Sequence, residues 1–405
     1  MGKLNSNFSA VNKLLEGNIS IFLDFIRGLS AILVVMEHLS SRLFVGYGNV
    51  ENHSVLVKLL YLLNILGGPS VIIFFVLSGF FISRSVLKAV FENKWSWRRY
   101  MIDRLSRLYV VLIPALILTL ILDMVSSRFF EYERYTNIYD NLKDFIGNLF
   151  FLQNIFTGVY GSNAPLWSLN YEFWYYMLFP ILLLIVSYNK SKFVKLFYLL
   201  VAIIIIFTIA IRMNTYFIVW LIGTLVLLLP RINFLIRGFI PVIALILLLG
   251  AMIVRPLMMT GRLFTESWTE DLFVVDLFLG LAFGFLVYTL LHNISDKIKN
   301  IELKRLGKIA NLISSFSFSL YLIHYPIINT LYYWGANNGF TGLQPNIISI
   351  VLEVLLVILI CIIAFFFSRL TETRTHILRK FIETKTRTWT VSSRNRSERK
   401  KNVVG

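Results

Sequence analysis

Ten apolar stretches, each about long enough to cross a bilayer, constrain this chain more than any other feature. They fall near residues 21–41, 59–83, 108–126, 165–187, 196–212, 215–230, 238–254, 271–291, 312–334 and 345–368. A helix of about 20 residues spans the roughly 30 Å hydrocarbon layer at ~1.5 Å per residue. Lipid offers backbone amides no partner, so an immersed segment must satisfy its own hydrogen bonds, as a helix does. Apolar side chains make up 57% of the 405 residues, above the share of a soluble domain. The expected fold is all-α: a polytopic membrane bundle of about ten transmembrane helices. A further apolar piece, Phe145 to Phe156, is too short to cross and reads as re-entrant or interfacial.

Charge orients the bundle. With the N-terminus inside, segments 1–20, 84–107, 188–195, 231–237, 292–308 and 369–405 hold 30 of the 39 Lys and Arg residues. The opposite connections hold 8, and Arg27 lies within the first span. The positive-inside rule then predicts two cytoplasmic termini. The chain divides into a cytoplasmic segment 1–20, a transmembrane domain 21–368 and a basic tail 369–405. The Arg, Lys, Ser and Thr content of the tail predicts disorder from residue 371 onward. The net charge of +17 follows from topology and attraction to anionic lipid, so membrane lipid is an expected partner and nucleic acid is not. The lone Cys361 excludes an internal disulfide, and no Cys/His spacing calls for a metal. No small-residue cleavage site follows the first apolar run, so it reads as a retained span. The longest outside connection, about 38 residues from Ser127 to Ala164, is too short for a second catalytic domain.

Polar residues inside spans are costly and mark chemistry. Arg27 and His38 are eleven residues apart, close to three helical turns, so they share one face about 16 Å apart along the axis. Arg104 and Arg107 are neighbours at i, i+3 beside Trp95, Trp97 and Tyr100, and paired guanidiniums suit a phosphate or pyrophosphate. A short basic loop that binds lipid phosphates is the plainer alternative for that pair. Glu172 sits among Trp167, Tyr171, Trp174, Tyr175 and Tyr176, where a carboxylate needs a partner and aromatic side chains can wall a sugar ring. His324 precedes Pro326, so it serves a substrate or bonds a carbonyl that the proline frees. Asp276 and Glu353 are further mid-span acids, either of which can pair with Arg27 or His38 across the bundle. Ser78-Gly79 suits close helix packing better than nucleophilic chemistry, and His53, His292 and His376 read as surface residues.

Five segments in order resemble integral-membrane acyltransferase family 3. Leu23 to Leu29 followed by His38 is similar to its opening motif, a basic residue, ten others, then His. Phe74 to Phe80 resembles its FFVLSGF segment, Arg104 to Arg107 its R-x-x-R pair, and Leu166 to Pro180 its LWSL-x-x-E segment. Ser319 to His324 is similar to its SLYL-x-H segment. Two features depart from the pattern: proline waits until Pro114 after the arginine pair, and the appended esterase-like domain of some members is absent. The resemblance implies a multi-pass protein of the inner (cytoplasmic) membrane that moves an acyl group, usually acetyl, from cytoplasmic acyl-CoA to a glycan hydroxyl. The glycan would be an extracytoplasmic or lipid-linked polysaccharide such as lipopolysaccharide, and O-acetylation the modification. In that reading Arg27, Arg104 and Arg107 bind acetyl-CoA, and His38 is the general base or a transiently acylated nucleophile. Glu172 orients the imidazole or binds sugar, and Trp167, Tyr171 and His324 contact substrate. A glycan or lipid exporter without acyl-CoA chemistry is the competing reading of the same polar spans.

Overall fold

A computed structural model of the chain describes residues 2–15, 19–130, 132, 138–187, 191–209, 211–236, 238–259, 272–293 and 301–385. These are helical almost throughout, and among them no strand forms, only two isolated bridges. The helices are α1 Gly2–Leu14, α2 Ile19–Leu43, α3 Val55–Asn64, α4 Gly67–Phe91, α5 Trp97–Phe129, α6 Ile138–Leu149 and α7 Leu166–Val186. They continue with α8 Lys192–Thr208, α9 Ile211–Leu228, α10 Ile240–Met259, α11 Phe273–Asn293, α12 Ile301–Ser314, α13 Ser317–Asn337 and α14 Ile347–Leu370.

Seven spans among the described residues are long and apolar enough to cross a membrane. An eighth arises if α12 and α13, bent by 51° at their junction, count as one. The expectation of ten differs because α8, with 17 residues, and the apolar part of α9, Met213–Leu228, fall short of bilayer length. The last span also outlasts its expected end. Residues 375–385 are helical, and Arg379 pairs with Asp103 of α5 at 2.9 Å, where composition alone predicts disorder. The rest of the expected tail, residues 386–405, lies outside the described residues.

α2, α4 and α13 form the centre. α4 packs along α9 and α2, α2 also meets α12 and α13, and α13 runs beside α5. Small residues make the tightest crossing possible. A side chain at Gly79 would strike the Trp220 carbonyl, and one at Gly223 the Val76 carbonyl, so the Ser-Gly step serves helix packing as expected. α10 and α14 leave most of their apolar side chains outward, as a lipid-facing wall must.

Prolines inside the helices recruit side chains from elsewhere. Pro180 has no N–H for the Tyr176 carbonyl, and the Tyr100 hydroxyl donates to it at 2.8 Å. Pro326 likewise frees the Leu322 carbonyl, which accepts from the Asn163 amide at 2.8 Å. Asn163 belongs to a buried turn pinned between α5 and α13, where the Ser162 N–H donates to Asp123 at 2.8 Å. The short apolar piece before it forms α6 and a tight turn held on α7 by the Trp174 indole donating to the Phe151 carbonyl at 2.9 Å.

Candidate active site

The sequence places Arg27 near the start of α2 and His38 near its end, and the bundle builds a different environment around each. Around Arg27 lies a cavity of about 310 Å³ whose walls include Arg104, Arg107, Ser78, Glu172, Tyr176, Ser317 and Tyr321. All five helices that carry the resemblance segments, α2, α4, α5, α7 and α13, thus line one chamber. The i, i+3 spacing on α5 turns both arginines into it, as expected. Arg104 also lies 5.8 Å from the centre of the Tyr100 ring. Gly28 lets α12 close over this stretch of α2, since a side chain there would collide with Ile313.

The chamber carries charge of both signs. Arg27 donates to Asp24 at 2.9 Å, one turn earlier on α2. The Glu172 carboxylate sits beside the Ser78 and Tyr176 hydroxyls and within reach of the Arg107 charge. Glu372, just past α14, approaches Arg27 and Arg107 while accepting from the Ser319 hydroxyl at 3.1 Å. Two donors remain unmatched: the Nε groups of Arg27 and Arg104 are buried without a hydrogen-bond partner. Uncompensated buried donors of this kind favour an incoming anion.

His38 does not line the chamber. Its ring stacks on His324 of α13, with centroids 5.3 Å apart and planes at 26°, and meets the edge of Tyr325 at 4.8 Å. His38 is half-buried, and no hydrogen bond to either ring nitrogen forms among the described residues. His324 is fully buried, and its Nδ1 lies 3.0 and 2.9 Å from the Leu320 and Tyr321 carbonyls. Two carbonyls require a donor, so Nδ1 carries the proton and Nε2 keeps its lone pair. That Nε2 has no partner. The carbonyl that Pro326 frees goes to Asn163, which answers the alternative posed for His324: it bonds two carbonyls, neither of them the freed one. Tyr321 joins the two regions. It lines the chamber, shares a 2.7 Å hydrogen bond with Ser168 and lies 5.9 Å from the His324 ring.

Several expected placements change. Glu172 stands with the arginines rather than against the His38 imidazole. Tyr171 is buried in an aromatic stack with Phe75, Trp167 and Tyr216, and neither it nor Trp167 reaches the chamber. Asp276 pairs with Arg255 of α10 and accepts from Tyr216, and Glu353 faces Asn64, so neither acid partners Arg27 or His38. Glu37, which joins the Arg255 region through Gly68, and Tyr325, which meets the His38 ring, carry no motif that marks them in the sequence. Glu37 was visible as an acid within the first span. Tyr325 stood next to a flagged histidine, but its role depends on how α13 crosses α2.

The acyltransferase 3 family, described as "Acyltransferase domain", matches residues 20–368. A curated relative, an uncharacterized protein of Haemophilus influenzae, is 28% identical over 142 residues, which is 33% of this chain. The match takes in 55% of the relative's length, so the chain spans about half of the curated protein that it resembles. No solved structure matches.

Proposed function

Because this chain belongs to the acyltransferase 3 family, we propose that it is a membrane O-acyltransferase, most simply an O-acetyltransferase, acting from cytoplasmic acyl-CoA on an extracytoplasmic or lipid-linked glycan. One observation carries the reading: three arginines from two helices line one chamber, and Tyr321 on its wall packs against His324, which stacks on His38. Arg27, Arg104 and Arg107 bind the phosphates of the donor through charge-assisted hydrogen bonds. The pantetheine arm then runs along α2 past Tyr321 toward His38. Arg27 and His38 are about 16 Å apart along the axis, a distance that an extended arm can bridge.

At His38 the acceptor hydroxyl gives its proton to a free imidazole nitrogen as its oxygen attacks the thioester carbonyl. The C–O bond forms, the C–S bond breaks, and the protonated imidazole returns the proton to the departing thiolate. Acylation of His38 itself, followed by transfer to the hydroxyl, is the second course that an uncommitted nitrogen permits. Glu172 and Tyr176 position the donor within the chamber, and His324 holds the His38 ring by stacking.

In this reading α8 and α9 complete about ten crossings of the inner membrane, despite their length. Both termini then lie in the cytoplasm, the side favoured by the 30 Lys and Arg residues in those segments. The segment 1–20, the transmembrane domain 21–368 and the basic tail from 369 keep the organisation read from the sequence. An exporter would need the same polar spans but no arginine chamber facing the cytosol. Mass spectrometry of surface glycan from cells with and without the protein decides between them. Loss of an acyl mass increment on deletion supports the transferase, and loss of glycan from the surface supports the exporter.

A further inference from the structure

Arginines within this bundle fall into two groups. Arg27 and Arg255 each hold a carboxylate, Asp24 and Asp276 respectively. Arg104 and Arg107 pair with no carboxylate within 4 Å among the described residues, and both face the chamber. Arg42 is a half-buried arginine of this second kind, and it stands at the opposite end of α2 from Arg27. No carboxylate of the described residues lies within 4 Å of it.

Arg42 is four residues beyond His38, hence one turn farther on the same face, about 6 Å along the axis. Its guanidinium carbon sits 4.8 Å from the centre of the Tyr332 ring, and Nη2 is 3.5 Å from the Tyr325 hydroxyl. Tyr325 in turn meets the His38 ring edge-on at 4.8 Å. The planar guanidinium therefore rests against an aromatic ring. The edge of that plane keeps N–H donors in the fork that matches a carboxylate or phosphate. Partial burial strengthens the attraction, because little water screens it.

We infer that Arg42, Tyr325 and Tyr332 form an oxyanion-binding subsite next to His38, which holds a carboxylate or phosphate carried by the acyl acceptor. The inference rests on the transferase reading for the word acceptor, but the binding site itself does not need it. With the donor approaching from the arginine chamber, the acceptor reaches His38 from the Arg42 side. A spacing of about 6 Å is that of one sugar ring, so the anion belongs to the sugar that is acylated or to its adjoining linkage. The same chemistry describes a phospholipid headgroup, and the two sources differ in what competes for the site.

The test uses the full chain purified in an uncharged detergent, with methyl glucuronide, methyl glucoside and methyl glucoside 6-phosphate as probes. Calorimetric titration reads affinity, and release of CoA thiol from acetyl-CoA reads transfer. The wild type should bind the glucuronide or the phosphate at least tenfold more tightly than the glucoside, and lose that preference as salt rises. In Arg42→Gln the ratio should collapse toward one, and in Arg42→Lys, which keeps the charge without the fork, it should fall between. Equal affinities in the wild type, or an unchanged ratio in both variants, overturn the subsite. Repeating the titration in nanodiscs separates the sources. A preference that persists equally in phosphatidylglycerol and phosphatidylcholine supports the acceptor, and one abolished by phosphatidylglycerol assigns Arg42 to lipid and overturns the proposal. Tight glucuronide binding with no CoA release leaves the subsite standing and removes the transferase.

Discussion

At one end of α2, Arg27 opens on a chamber where guanidiniums, carboxylates and hydroxyls crowd together. At the other, His38 stands against a second imidazole and a tyrosine edge, with its nitrogens uncommitted. The first region compensates charge with charge and still leaves two buried N–H donors unmatched, which suits a highly charged ligand that comes and goes. The second region avoids strong partners altogether. A nitrogen that must take a proton loses reactivity if a carboxylate or carbonyl already occupies it, and rings hold the imidazole in place without doing so. His324 illustrates the difference from the other side, since its Nδ1 is spent on backbone carbonyls and only Nε2 remains. On the proposed function, binding and chemistry are kept apart along a single helix, with Tyr321 between them.

That division can be broken at three points. His38→Ala should cost the largest amount, about 10³-fold or more in acyl transfer measured as CoA release, while acetyl-CoA still binds. Retained transfer by a membrane-inserted variant would move the chemistry away from the imidazole pair. Arg107→Ala should act on the opposite region alone, weakening acetyl-CoA binding about tenfold, the value of one charge-assisted hydrogen bond. Its loss should narrow at high salt, where the wild type is itself weakened, and isothermal titration at two ionic strengths checks this. Asn163→Ala should have the smallest effect. It strips the Leu322 carbonyl of its donor and should destabilise the fold by about 1–2 kcal/mol, read as a lowered thermal midpoint. Because that carbonyl lies two residues before His324, a loss of transfer much larger than the loss of stability would show that the proline break positions the imidazole pair.

Length and hydropathy sufficed for the helical class and for most spans, because a bilayer admits few alternatives. They left α8 and α9 undecided, since both helices stop short of a full-length span, and they misread residues 375–385, where packing against α5 orders a polar stretch that composition marks as loose. Spacing along one helix was equally informative. The i, i+3 arginines do share a chamber, whereas Arg27 and His38, eleven residues apart on one helix, meet different surroundings.

Helical periodicity is a local rule, so the sequence by itself determined which residues each helix turns the same way. Which helix lies opposite is a matter of packing between segments far apart in the chain, and only the tertiary structure decided it. Glu172 therefore met Ser78 and Arg107 instead of His38, Asp276 met Arg255, and His38 met a histidine 286 positions later. The physical reason is that a buried polar group takes whichever partner the crossing of two helices brings within reach, and that crossing is set by small residues such as Gly79 and Gly223 rather than by the polar groups themselves.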